Sequence, residues 1–185
     1  MKKVFTAVLS AMLIAPSAWA DTYVIDPVHS SVSFRVKHVV GKVTGRFKQF
    51  EGSINYDPAK AAITSADATI QAATIDTGVD KRDADLRSPH YFDVQKYPTI
   101  TFKSTGITGQ QLQGQLTMHG VTKPVVLAFE SGGVVKDPMG KQRLGGSATT
   151  HVNRNDFNIG ASSGTMAAMV GADVEITLDI EAVKK

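Results

Sequence analysis

The chain contains no cysteine. Disulfide staples, thiolate metal sites and thiol nucleophiles are therefore excluded together, and in an oxidising compartment the fold must rest on its core alone. Basic runs are also missing. Setting aside Lys2 and Lys3 with the leader described below leaves 18 of the 20 Lys+Arg against 17 Asp+Glu, so the formal charge of +3 falls to +1. Nucleic acid is accordingly not an expected partner. The common catalytic signatures are absent as well: there is no G-x-S-x-G elbow, no phosphate loop of the G-x-x-x-x-G-K form, no H-E-x-x-H and no G-x-G-x-x-G. His29, His38, His90, His119 and His151 are scattered, with no pair at a ligand-like short spacing. These absences argue against catalysis.

Long apolar runs are lacking too. The first such stretch, "VFTAVLSAMLIA", is shorter than the ~20 residues a spanning helix needs, and Pro16 follows it. With Lys2 and Lys3 ahead of it and Ala18-Trp19-Ala20 as a small-x-small site, residues 1–20 read as a secretory signal peptide cleaved after Ala20. The expected product, residues 21–185, is a soluble, exported, single domain of a length sufficient for one core.

What is present is alternation with period two, the mark of half-buried strands. Val32, Phe34 and Val36 share one face against Ser31, Ser33, Arg35 and Lys37. Ala66, Ala68, Ile70 and Ala72 oppose Asp67, Thr69 and Gln71, and near the end Val174, Ile176, Leu178 and Ile180 oppose Asp173, Glu175, Thr177 and Asp179. Similar runs surround Ile54, Phe102, Leu116, Phe129 and Ala148. About eight strands separated by Gly, Pro or Asp turns predict an antiparallel sandwich or barrel.

One segment breaks the rhythm. Across residues 77–97, "TGVDKRDADLRSP" predicts a short helix with Thr77 as cap and Ser88-Pro89 as stop. The stretch is therefore a crossover between strands. Its charges (Asp80, Lys81, Arg82, Asp83, Asp85, Arg87, His90) allow a metal site through Asp80, Asp83, Asp85 and His90, but alternating signs more commonly pair with one another on a solvated surface. Leu86, Tyr91 and Phe92 would then cap a barrel mouth, with Arg87 either meeting a polar headgroup or tying the loop to the rim.

A closed sheet of about eight strands holds side chains or one small ligand, according to the bulk of its inward residues. Small candidates (Ala66, Ala68, Ala72, Gly114, Gly146) leave volume, whereas Phe34, Phe102 and Phe129 could fill it; periodicity does not choose between a cavity and a solid core. A cavity walled by such residues would favour a long hydrocarbon chain.

Taken in order, "YVIDPVHSSVSFRVKHV" (23–39), "GRFKQFEGSI" (45–54), "IDTGVDKRDADLRSPHYFDVQKYPTITFKST" (75–105), "LTMHGVTKPV" (116–125), "KDPMGKQRLG" (136–145) and "NRNDFNIG" (153–160) resemble the YceI-like family of periplasmic polyisoprenoid- or lipid-binding proteins, over essentially the whole of residues 21–185. The resemblance implies an all-β fold: an eight-stranded antiparallel extended β-barrel, lipocalin-like, holding an isoprenoid lipid such as a polyprenyl pyrophosphate or isoprenoid quinone, with no enzymatic activity, cofactor or required metal expected. Two residues depart from the family pattern. Met139 stands where Trp is frequent, and Gly146 where an aromatic commonly follows glycine, which would open the local packing or the entrance. The expected ligand-binding residues are Phe34, Val36, His38, Ala66, Ala68, Ile70 and Ala72, with Leu86, Arg87, Phe92, Phe102, Leu116, Met118 and Phe129. Beyond the lipid, transient contact with an inner-membrane protein or the membrane surface is expected, and pairing as a homodimer stays open. An enzyme acting on an isoprenoid lipid, with His38 and Asp93 as acid-base candidates, and a stress-related interaction protein with a structural lipid are the alternatives.

Overall fold

Alternation becomes wall wherever one face of a strand meets the interior. The clearest case is the strand of sequence QLQGQLTM, which buries Leu112, Gly114, Leu116 and Met118 and exposes Gln111, Gln113 and Gln115. The computed structural model describes residues 20–161, 164 and 168–185; the expected signal peptide, apart from Ala20, lies outside them. Within these residues the strands are β1 (Asp21–Ile25), β2 (Ser31–His38), β3 (Gly41–Phe47), β4 (Phe50–Asp57), β5 (Ala62–Gln71), β6 (Ile75–Asp76), β7 (Thr99–Thr108), β8 (Gln111–Met118), β9 (Val121–Lys136), β10 (Gln142–Asn153) and β11 (Val170–Lys184). An α-helix, α1 (Asp80–Arg87), and 3-10 turns at Ala72–Thr74 and Arg154–Phe157 also lie among the described residues. No helix among the described residues is long and apolar enough to cross a membrane.

Every strand pairing is antiparallel, and β1 contacts both β4 and β11, so the sheet closes as an eight-stranded barrel in the order β1-β4-β5-β7-β8-β9-β10-β11. The extra strands lengthen three of its staves. Along one edge of β11, Ile25 of β1 sits beside Ala182, Ser31 of β2 beside Asp179, and His38 beside Val170. In the same way β3 runs on into β4, and β6 continues β5 along the edge of β3. Closure leaves no bare sheet edge around the ring, which removes the pairing hazard of an open sheet.

The two ends differ. At the end carrying the β9–β10 turn, Tyr23, Tyr56, Leu144 and Ala182 form a buried plug, the two tyrosine rings meeting edge to face at 6.1 Å. At the opposite end residues 72–98 cross over, and Ala72, Ile75, Tyr91, Val94, Phe157 and Ile159 are buried there in the main core cluster. The crossover contains the expected helix, but its capping differs from expectation. Val79 occupies the N-cap without a side-chain bond, and it is Asp83, 4% exposed, that accepts from the Thr77 amide at 2.9 Å and from its hydroxyl at 2.5 Å. A first-turn carboxylate both complements the helix dipole and satisfies donors upstream of the helix, which leaves Thr77 as donor and not cap.

Candidate functional site

Between the plug and the crossover lies a cavity of about 260 Å³. The choice between void and solid core is thus decided by volume left over after the large side chains have packed. Phe102 shows how. Its ring lies across Gly114, where a Cβ would stand 2.3 Å from the ring edge, and Phe34 likewise lies across Gly45. Glycine on a barrel wall lets an aromatic ring lie flat on the neighbouring strand, so both rings cover wall without crossing the lumen. Gly114 therefore seats a ring and does not itself line the cavity, whereas Gly146 does line it.

Of the expected contact residues, Phe34, Val36, Ala66, Ala68, Ile70, Leu86, Phe92, Phe102, Leu116, Met118 and Phe129 all line this cavity. His38, Ala72 and Arg87 do not. His38 has the inward parity of Phe34 and Val36, but as the last residue of β2 it projects past the wall and is exposed. Ala72 leaves the strand alternation at the 3-10 turn, where its amide donates to the Pro98 carbonyl and its methyl is 1% exposed inside solid packing. Arg87 donates from Nε to the Ala73 carbonyl at 2.7 Å and from Nη2 to Ile75 at 2.8 Å, which fastens α1 to the rim. Arg82 does the same through Thr77. The charged crossover is a clasp held by side chain to backbone bonds, and Asp93 of the acid-base pair also lies outside the cavity lining.

Further wall residues come from β11 and its neighbours: Val174, Ile176, Leu178 and Ile180, with Val32, Phe47 and Val152. Their period-two spacing marked them as strand residues; only ring closure shows that this face and that of Ala66 and Ala68 share one lumen. Arg154, within the NRNDFNIG stretch, was given no role by the sequence. It is 8% exposed beside the cavity and donates to the carbonyls of Ile159, Val170 and Gly171 at 2.8–3.0 Å, which stitches the crossover between β10 and β11 to its own strand. No buried side-chain polar atom among the described residues lacks a partner. Ser33, Asp67, Glu130, Ser147, Thr150 and Arg154 also border the cavity, yet the surface it presents is almost wholly apolar, so the lumen offers mainly hydrophobic and dispersion contacts. A guest's hydrocarbon can enter at roughly 0.8 kcal/mol per methylene, while its polar group stays toward water, because burying that group unpaired costs more than it returns.

Met139 lies far from this wall, 85% exposed in the β9–β10 turn at the plugged end, so it opens no entrance. Beside that turn Arg143 bonds Asp137 at 2.8 Å, Asp26 at 3.3 Å and Glu181 more closely still. Asp137 is held below the usual carboxylate range mainly by Arg143, and Asp26 chiefly by His29 with help from Arg143. Asp26, His29 and Glu181 are the one grouping among the described residues with metal-ligand proximity. Arg143 already donates to two of the three, so they form an ion-pair knot. Asp80, Asp83, Asp85 and His90 form no such grouping.

A UPF0312 protein of Vibrio cholerae is 39% identical over 198 residues, with all of both chains covered. Among solved structures, a Campylobacter jejuni YCEI protein superposes with a TM-score of 0.71 at 33% identity, covering 77% of this chain and 85% of that one. A polyisoprenoid binding domain from Saccharophagus degradans superposes with a TM-score of 0.67 at 17% identity, over 88% of this chain and 98% of that one, and shares the fold. The YceI-like domain itself matches residues 23–182, from the first tyrosine of the plug to the last strand of the barrel, and the chain belongs to the YceI-like family.

Proposed function

We propose that the protein is a periplasmic carrier that holds a long-chain isoprenoid amphiphile, a polyprenyl pyrophosphate or an isoprenoid quinone, for transport, storage or sequestration. The observation that carries this reading is the cavity of about 260 Å³ between the plug and the crossover, walled mostly by aliphatic, aromatic and methionine side chains. An isoprenoid tail is apolar and branched, and it needs no hydrogen bond along its length. The name of the Saccharophagus domain, which shares the barrel, supports this class of guest. Export follows from the leader read in residues 1–20.

In this account Phe34, Val36, Phe102, Phe129, Leu116 and Met118 grip the tail, with Ala66, Ala68 and Ile70 leaving the room it occupies and Leu86 and Phe92 covering it from the crossover. The acid-base candidates His38 and Asp93 lie outside the lining, which favours a carrier over an enzyme. Competition by isoprenoid alcohols of increasing length against an apolar fluorescent probe tests the reading. Affinity is expected to climb by about 3–4 kcal/mol per five-carbon unit until the lumen is full, then to level off. Affinity that ignores chain length would contradict it.

A further inference from the structure

Two-residue hairpin turns need left-handed backbone, which Gly, Asn or Asp normally provide. The β8–β9 turn follows this pattern, with His119 at φ 52° and Gly120 at φ 75°. The β2–β3 turn does not. Val39 takes φ 52° there and Val40 follows it, although a β-branched residue is a genuine outlier in that region. Both side chains face water, Val39 52% and Val40 98% exposed. Beside them Met169 is 39% exposed, and its carbonyl accepts from the Val39 amide at 2.9 Å. Val28 and Met139 at the plugged end sit in ordinary turns instead: Asp26 accepts from the Val28 amide and Asp137 from the Met139 amide.

Charge gathers around the same tip. Lys37 and Lys42 stand directly opposite each other in register, a like-charge pair that costs stability, and Arg35 lies two residues back on the same face. Among the described residues no ion pair reaches Arg35, Lys37 or Lys42, whereas Arg46 and Lys48 further along share Asp76. The adjoining groove also carries His151, Asp173 and Glu175; Glu175 stands directly opposite Arg35 in register, which leaves Lys37 and Lys42 as the cations nearest the tip, and Asp173 is engaged by His151 at 2.9 Å. The cavity wall reaches this end through Val36, Val170 and Val174.

We propose that the Lys37–Lys42 hairpin tip docks the protein on a bilayer containing anionic phospholipid, with Val39, Val40 and Met169 entering the interface and Arg35, Lys37 and Lys42 meeting the phosphates. The inference extends the carrier reading, since it places the end of the cavity lined by Val36, Val170 and Val174 against the lipid phase from which a guest is drawn. A narrow apolar point with cations along one face matches a bilayer, which accepts an inserted tip without shape complementarity. An acidic protein would need a complementary recess and would leave the two valines unexplained.

The test is co-sedimentation of the purified protein with phosphatidylcholine vesicles, with and without phosphatidylglycerol. Preferential binding to the anionic vesicles is expected, weakening as salt rises. At about fivefold per cation near an anionic surface, Lys37→Glu/Lys42→Glu lowers partitioning by at least roughly 25-fold. Val39→Gly/Val40→Ser suits the turn better, so thermal stability is kept or raised while partitioning falls by about tenfold. Met139→Ser/Lys141→Glu at the plugged end leaves it unchanged. Equal binding to both vesicle types, wild-type binding by the hairpin variants, or loss of binding in the plugged-end variant would overturn the proposal. Capture of an acidic protein without vesicle binding would overturn it in favour of a protein partner. Lipid extracted from the same samples separates the two readings: wild-type protein that holds its guest but binds no vesicle counts against docking alone, and vesicle binding by wild-type protein that never holds a guest counts against the carrier alone.

Discussion

Gly114→Ala is the smallest change that reaches the cavity wall. A Cβ at this position would lie 2.3 Å from Cε2 and 2.4 Å from Cζ of Phe102, and 2.8 Å from the Lys103 carbonyl oxygen. Ordinary contact begins at 3.4 Å, so the ring must retreat by 1.1 Å, the difference between 3.4 and 2.3. The carbonyl belongs to β7, whose Lys103 pairs with Gln115, and cannot move as freely. Phe102 therefore moves, and the free space beside it is the lumen. Overpacking of this kind costs about 1–3 kcal/mol, offset by roughly 0.4–1 kcal/mol from the loss of glycine freedom in the unfolded chain. A net loss of about 1–2 kcal/mol would lower the thermal midpoint by roughly 2–8 °C in a domain of this size. The assay is a double-mutant cycle with Phe102→Leu, which deletes the two closest ring atoms and leaves the carbonyl contact. A coupling of about 1 kcal/mol is expected. Equal cost of Gly114→Ala in both backgrounds would refute the ring-on-glycine account of the wall.

Ala68→Phe should fill lumen without disturbing turns or clasp; displacing about four methylenes of guest costs ~3 kcal/mol, more than a hundredfold in affinity, measurable by probe displacement. Asp83→Ala removes the acceptor of the Thr77 amide and hydroxyl in a buried site, so urea unfolding should show a loss of about 2 kcal/mol; a neutral result would mean that the clasp contributes nothing. In acid, Asp76 is the carboxylate to follow, because the Lys48 ammonium first, then the Gly78 amide and Arg46, hold it down at about 2. Its folded value lies below the ordinary 3.8, so its contribution is present above 3.8 and is lost as pH falls through about 2. An NMR titration that placed Asp76 at or above 3.8 would contradict the pairing.

The strands were legible because one face of each is buried, and burial on one face writes period two into the residues. Ring closure was less so, since it depends on which distant edge meets β11, and no local pattern records that Ile25 sits beside Ala182. Parity also fails at strand ends. His38 has the inward parity of Phe34 and Val36 yet extends beyond the wall, and Ala72 leaves the alternation where the chain tightens into a 3-10 turn. The crossover was readable as a helix from its charges and its Ser-Pro stop, but a carboxylate reaching back from the first turn and a threonine capping forward have the same spacing signature. Arg87 illustrates the remaining limit: an arginine at a mouth can serve a headgroup or a backbone carbonyl, and only the positions of Ala73 and Ile75 decide. Whether small inward residues leave a void likewise depends on where each phenylalanine ring lies, which is a property of neighbouring strands.

The most direct test of the carrier account is mass spectrometry on protein purified from the periplasm, with the intact complex weighed under native conditions and its organic extract analysed in parallel. The account predicts one isoprenoid lipid per chain, with a mass difference in the native spectrum that matches the extracted species. An intact, folded protein whose native mass equals that of the bare chain, and whose extract holds no such lipid, would contradict it.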